Sequence, residues 1–398
     1  MACIHLKINR MKMRWKTLKV EVLILFTVGL LGILFILQGT NDGTPEVEDK
    51  PPKKINIATP RAPHNSYLPA LEWVSRCKIN TSVERIIGFS ELPEHIKDFL
   101  RYRHCKHFPQ ILNSPMKCGG PASSEEVFLL LAIKSSPGNY ERRAILRQTW
   151  AVEQKYSGAQ VKTIFLSGTV GDEKINKRMK RLLEIEHKTH GDILQWDFKD
   201  SFFNLTLKQF LFHQWLEENC PGAHFIFNGD DDVFVNTFNV ITYLRGLGKN
   251  GADPHLFVGQ LIANVGPVRE SNSKYFVPVQ VTTSNSYPMY CGGGGILMSR
   301  YTAHAIYNKS MTLDLFPIDD VYLGMCLQKA NLVPASHMGM RTVGVRVPSA
   351  KLDSFDPCYY RELLMVHRFV PYEMLVMWNA IQDTDLDCGQ KHGIYIAM

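Results

Sequence analysis

Phe225-Ile226-Phe227-Asn228-Gly229-Asp230-Asp231-Asp232-Val233-Phe234-Val235-Asn236 is the stretch whose reading decides the fold. Phe225 to Phe227 read as the end of a buried strand, and Gly229 lets the chain turn. Three carboxylates then arrive together at the strand's carboxyl end, where open α/β sheets bind their ligands. Val233 to Val235 returns at once to apolar side chains, so the acids sit between two buried segments. Asp230 and Asp232 fall on one side of an extended chain and aim at one point. Converging carboxylates repel one another unless a cation joins them. A hard divalent ion, Mg²⁺ or Mn²⁺, suits oxygen donors and commonly also holds a phosphate. A calcium loop would read Asp-x-Asp-x-Asp-Gly, but Phe234 occupies the place of its third ligand. A merely solvated acidic turn is rarely framed by two hydrophobic runs.

Upstream of the acids the pattern alternates. Val127 to Ile133 is an apolar run of strand length, and Lys134-Ser135-Ser136-Pro137-Gly138-Asn139 is a loop. Asn139 is placed to cap a helix carrying Arg142, Arg143, Arg147 and Trp150. Strand, polar loop and basic helix are a usual way to meet a nucleotide; the plain alternative is a solvated basic face. No Gly-x-Gly-x-x-Gly or Walker pattern is present. Thr163 to Leu166 and Ile193 to Trp196 read as strands, and Asp172 to Lys188 and Leu205 to Leu216 as helices. Strands alternating with helices predict an α/β domain with a mostly parallel sheet.

Downstream, His255 to Val258 and Lys274 to Pro278 read as extended pieces. Gly292 to Gly295 then precede the apolar Ile296-Leu297-Met298 and strip the side chains from a short surface. Bare backbone there, at Gly293 and Gly294 above all, admits a sugar or phosphate closely; a flexible hinge is the alternative. Pro317-Ile318-Asp319-Asp320 opens a helix. One of its two acids can cap that helix, a role read for Asp319, and the second has no such structural need. The late apolar run Leu363 to Val366 closes on His367; a lone histidine in that setting is more often a core residue than a ligand.

The ends of the chain speak of compartment. Lys7, Arg10, Lys12, Arg14, Lys16 and Lys19 precede an apolar run from Val22 to Leu37, with no acid before Glu21. This pattern predicts a cytosolic tail over 1–19 and an uncleaved transmembrane signal anchor over 20–38. No cleavage site of a secretory leader is evident after Leu37, and a short span suits the early secretory pathway. The tail supplies most of the formal charge of +7, leaving no basic footprint for nucleic acid on the rest. A proline-punctuated stem is expected over 39–70. An N-terminal lumenal subdomain (71–126) and one large catalytic domain (127–398) follow. Beyond Cys3 there are eight cysteines, an even number that fits disulfides in an oxidising compartment, with Cys77, Cys105 and Cys118 expected to staple the N-terminal subdomain. Sequons at Asn80, Asn204 and Asn308 point to the same compartment.

With these residues assembled, the chain from about Val83 onward resembles the β-1,3-glycosyltransferases of family 31. The resemblance is carried by Arg142-Arg143 through Arg147-Gln148-Thr149-Trp150, by Asp197 through Thr206, and by Asp230-Asp231-Asp232-Val233-Phe234. Gly259-Gln260, Asn264-Val265-Gly266-Pro267, Cys291 to Gly295 and Pro317-Ile318-Asp319-Asp320-Val321 continue it in order. Within the family the chain looks most like the β-1,3-N-acetylglucosaminyltransferases. The resemblance implies a GT-A fold, Mn²⁺, inversion at the anomeric carbon and a UDP-sugar donor, here UDP-GlcNAc. The acceptor would be a galactose-terminated glycan on glycoprotein or glycolipid, and the location a Golgi membrane with the catalytic domain in the lumen. Asp232 and His367 would be the metal ligands and Asp320 the base. Lys134, Arg142, Arg147, Asp230, Asp231, Tyr275, Gly293, Gly294 and Asp319 would serve the donor and acceptor pocket. UDP-galactose transfer, and a lectin without turnover, are the two rival readings.

Overall fold

A computed structural model describes residues 77–248, 254–345, 347 and 352–389. The tail, anchor and stem expected over 1–70 lie outside the described residues. Among the described residues no helix is long and apolar enough to cross a membrane.

The centre is a mixed α/β sheet. Its strands lie in the order Gln110–Leu112, Ile193–Lys199, Ala159–Thr169, Val127–Lys134, Phe225–Asp230, Gly295–Ser299, Phe257–Gly259 and Ala335–Ser336. The four from Ile193–Lys199 to Phe225–Asp230 are mutually parallel. Gly295–Ser299 then runs antiparallel to both its neighbours. The expected parallel sheet is therefore its middle, with antiparallel additions on both sides. The chain builds outward from Val127–Lys134 in one direction, then returns to place Phe225–Asp230 on its other side. The carboxyl ends of these two strands are the topological switch point, the crevice where such sheets receive ligands.

Both faces of the sheet are buried, which explains the unbroken apolar runs. Along Val127–Lys134, Leu130 and Ala132 enter one core with Ile164, Phe210 and Phe212. The alternate residues Leu129, Leu131 and Ile133 enter a second core with Trp150, Phe227 and Phe234. The Leu205–Asn219 helix is buried over most of its length, including Lys208, Gln209 and His213. A third, smaller core joins Val83, Phe89, Leu92, Ile96 and Leu100 to Phe276.

Several boundaries differ from expectation. The strand expected at His255–Val258 is Phe257–Gly259, because the His255 ring is held by the Thr302 hydroxyl and the Val333 carbonyl instead. Lys274 to Pro278 is mostly a turn, tied down by a single bridge from Phe276 to Val268. Three disulfides form, Cys77–Cys105, Cys118–Cys220 and Cys358–Cys388, while Cys291 and Cys326 are buried free thiols. Six of the eight cysteines beyond Cys3 are thus paired, in keeping with the expected disulfides. Only Cys77–Cys105 closes within the N-terminal segment; Cys118 ties that segment to the end of the Leu205–Asn219 helix.

Candidate active site

Backbone register assembles the site. Lys134, the last residue of its strand, lies beside Asp230 in the parallel ladder. Gly295 pairs with Gly229, which puts the glycine run against the acids, and the Asp230 amide donates to the Gly294 carbonyl at 2.9 Å. A small sheet of Met340–Arg341, Met365–His367 and Val233–Val235 sets His367 opposite Val233, next to Asp232. The Phe369 amide also donates to the Asp232 carbonyl at 2.8 Å.

The three acids part company. Asp230 meets the Lys134 ammonium at 3.0 Å, and Lys134 reaches Asp319 at 3.0 Å as well. Burial opposes the charge on Lys134, yet Asp230, Asp319 and Asp320 together hold its pKa above the ordinary lysine value. Asp231 is buried and accepts hydrogen bonds from the Ser135 hydroxyl (2.7 Å) and the Asn139 amide (2.8 Å). Burial pushes its carboxyl upward against those bonds. Asp232 faces His367 Nε2 at 3.6 Å and Arg368 Nε at 3.1 Å. Burial works against its charge, but His367, Arg142 and Arg368 bring the carboxyl below its ordinary range. The same Asp232 carboxylate raises the His367 imidazole. The pair read as aiming at one point is therefore not Asp230 with Asp232; Asp232 is joined by His367.

The Asp232–His367 pair fits a divalent cation. His367 Nδ1 lies 3.0 Å from the Thr342 carbonyl and is placed to donate to it, leaving the Nε2 lone pair toward Asp232. Metal-bound histidines are held by such a bond from the other ring nitrogen. The 3.6 Å gap to Asp232 is longer than a hydrogen bond and suits two donors sharing an ion. Beside them, Arg142 Nη1 is buried without a hydrogen-bond partner and stands 3.7 Å from both Asp231 and Asp232. A half-buried arginine with one nitrogen left without a hydrogen bond suits an incoming anion.

Asp319 and Asp320 open the Asp319–Lys329 helix, but neither caps it. The N-cap is Ile318, which makes no side-chain cap bond. Asp319, expected to cap, is instead buried against Lys134. Asp320 is half-buried over the glycine run, where a side chain on Gly293 would begin 3.1 Å from its Oδ2. Burial first, then Asp319, raises the Asp320 carboxyl well above its ordinary value, while Lys134 and the Gly293 amide partly offset this. Gly294 has φ +105°, and a Cβ there would meet His367 at 3.3 Å. Gly293 and Gly294 thus form a floor between the Asp232–His367 pair and Asp320.

Two other expectations are corrected. Asn139 begins its helix, Tyr140–Leu146, without a side-chain cap, because its amide is spent on Asp231. Arg147 does not reach the acids: it pairs with Asp192 (2.7 Å) and Glu186 (2.8 Å) and lies over the Phe165 ring. Nor is Arg143 a solvated face. Fully buried, it grips both Glu186 oxygens at 2.8 Å, donates to the Ser135 hydroxyl (3.0 Å) and the Ser136 carbonyl (2.7 Å), and so fixes the loop that holds Asp231. Tyr275 is 46% exposed and edge-on to Phe202 at 5.6 Å. Ser135, Asn139 and Arg368 were missed as site residues. Ser135 and Asn139 sit in the polar loop after the strand, and that position was their only signal.

A switch-point crevice with a metal-fitting pair, an arginine 3.7 Å from two of the acids, a bare glycine floor and an aspartate set over that floor has the parts of a glycosyltransferase site. Comparison with known proteins agrees. Residues 141–338 match the family model described as galactosyltransferase. The chain is 50% identical to human N-acetyllactosaminide β-1,3-N-acetylglucosaminyltransferase 3, over 94% of this chain and 97% of that protein. It is 51% identical to mouse acetylgalactosaminyl-O-glycosyl-glycoprotein β-1,3-N-acetylglucosaminyltransferase, over 80% of each chain. It is 40% identical to rat UDP-GlcNAc:βGal β-1,3-N-acetylglucosaminyltransferase 7, over 86% of this chain and 84% of that one. A solved galactosyltransferase with donor and acceptor sugar analogues aligns at 11% identity over 64% of this chain and 97% of its own, with TM-score 0.33, too loosely to bear on the site. The chain belongs to the galactosyltransferase family, glycosyltransferase family 31, among its β-1,3-N-acetylglucosaminyltransferase relatives.

Proposed function

We propose that the chain transfers N-acetylglucosamine from UDP-GlcNAc to the 3-hydroxyl of a terminal galactose, with inversion, on a GT-A fold. The carrying observation is the separation of two kinds of acid by the Gly293–Gly294 floor: Asp232 beside His367 on one side, Asp320 on the other. The likeness at 50% identity over nearly the whole length of a β-1,3-N-acetylglucosaminyltransferase supports this choice of sugar.

Asp232 and His367 would hold Mn²⁺, which when bound supplies Lewis-acid neutralisation of the departing UDP. Arg142 adds a cation beside that diphosphate. The glycine floor lets the donor sugar lie against the backbone. Asp320 takes the proton from the acceptor 3-hydroxyl, and its raised pKa makes it a stronger base than an ordinary carboxylate. Lys134, clamped between Asp230 and Asp319, fixes the strand ends to the base-bearing helix. A single displacement on an α-linked donor needs only that one base and yields a β-1,3 bond. The basic tail and the Val22–Leu37 run support a type II Golgi membrane protein with this domain in the lumen. The reading is tested by Asp232→Ala, which should abolish Mn²⁺-dependent UDP binding in calorimetry; unchanged binding would refute the ligand assignment.

A further inference from the structure

We propose that the cavity between the Glu94–Tyr102 helix and the Asp197–Leu207 segment is an extended acceptor subsite, taking the sugars that lie inward of the terminal disaccharide. This rests on the transferase reading above and adds a binding site to it. The cavity is about 580 Å³, within the range of small-molecule sites. Its wall mixes rings, such as Phe108 and Phe203, with the polar His95, His107 and Asp197. A pyranose offers the same mixture, with an apolar C–H face and a rim of hydroxyls.

A chain of ring contacts runs from Tyr275, through Phe202 and Phe203, to His95 at the cavity wall. Tyr290 directly precedes Cys291 and the glycine run, and it lies within electrostatic reach of both Asp320 and Tyr275. Tyr275 meets Phe202 edge-on at 5.6 Å, and Phe202 meets Phe203 at 5.3 Å. Phe203 stacks on His95 at 4.6 Å, at the cavity wall. The Lys274 ammonium lies over the Tyr275 ring (4.7 Å) and the Phe202 ring (5.4 Å), adding hydroxyl-binding donors along the ladder. The elements are fixed to one another: Phe276, next to Tyr275, is buried in the same small core as Ile96 and Leu100 of the helix that bears His95. An oligosaccharide whose last galactose sits at Asp320 therefore has a ringed path along which to lay its earlier sugars.

The test compares a β-galactoside disaccharide with a tetrasaccharide ending in the same galactose, using the full-length chain in detergent. The expected result is a lower KM for the tetrasaccharide. His95→Ala and Phe203→Ala should each reduce that preference by about 2- to 10-fold, the worth of one ring contact. The disaccharide kcat/KM should not change. His95 is exposed, so its substitution spares the fold even if Phe203→Ala does not. Equal KM values in the wild type, or a preference that survives both substitutions, would overturn the proposal. A preference that appears only in Asn204→Gln would assign the cavity to the chain's own glycan and would overturn it too. No transfer to either acceptor would instead strike the transferase reading. Saturation-transfer NMR of the tetrasaccharide on Asp320→Asn then still decides the cavity: contacts from the inner sugars, lost in His95→Ala, support it, and their absence overturns it.

Discussion

At the scale of single residues the account turns on Asp320. Asp320→Asn keeps the side chain's size and removes its basicity. Transfer should fall about 10²–10⁴-fold, the usual loss for a positioned base, while UDP-GlcNAc affinity in Mn²⁺ is kept. A parallel loss of affinity would make Asp320 a binding residue instead. The same substitution has a stability sign. Folding raises this carboxyl above its unfolded value, so the folded chain holds the proton more tightly and loses stability as pH rises from about 4 through the raised value. Asp320→Asn removes that loss. Measured in EDTA, it should melt above the wild type at neutral pH, with the gap closing below about pH 4; an unchanged or lower melting temperature at neutral pH would contradict the raised carboxyl. The sequence showed Asp230, Asp231, Asp232, Asp319 and Asp320 as acids in the right places. It did not show their partners. Lys134 meets Asp319 across 185 residues of chain, and no local pattern reports such a pairing. For the same reason the helix-cap role expected of Asp319 fails: the long-range lysine takes its carboxylate.

At the scale of elements the strands and helices before the acids were legible from their periodicity, because the buried sheet imposes apolar runs and the helices supply breaks. Asp172, read as the start of a helix, is the N-cap of Glu173–His190 and accepts from the Ile175 amide at 2.9 Å. Beyond the acids the reading weakened, since Phe257–Gly259, Tyr290–Cys291 and Met365–His367 are only two or three residues long. Periodicity needs more residues than that to register. The glycine run is the element whose chemistry was most visible. Gly294→Ala places a Cβ at φ +105° and against His367, a strain of about 1–3 kcal/mol. It should lower stability in denaturant titration and weaken Mn²⁺-dependent UDP binding as well. Loss of neither would show that the floor is not what positions His367.

At the scale of the whole molecule the described residues centre on one large sheet buried on both faces, with the N-terminal segment sewn on by Cys118–Cys220 across 102 residues. Replacing both cysteines with serine should cost about 2–5 kcal/mol in denaturant unfolding, and no change would mean that the segment is held by packing alone. The α/β class followed from the sequence, because strand–helix alternation dictates it. Disulfide pairing did not follow, because which cysteines meet depends on topology rather than spacing; Cys291 and Cys326 stayed unpaired inside the core. The choice of sugar is also a property of the whole cleft rather than of one motif. The most direct measurement of the central claim is therefore product analysis. Full-length chain in detergent is given UDP-GlcNAc or UDP-galactose, a galactose-terminated oligosaccharide, and Mn²⁺ or EDTA. The account predicts GlcNAcβ1-3Gal by linkage NMR, formed from UDP-GlcNAc and only with Mn²⁺. Transfer from UDP-galactose alone, or an α-linked product, would contradict it.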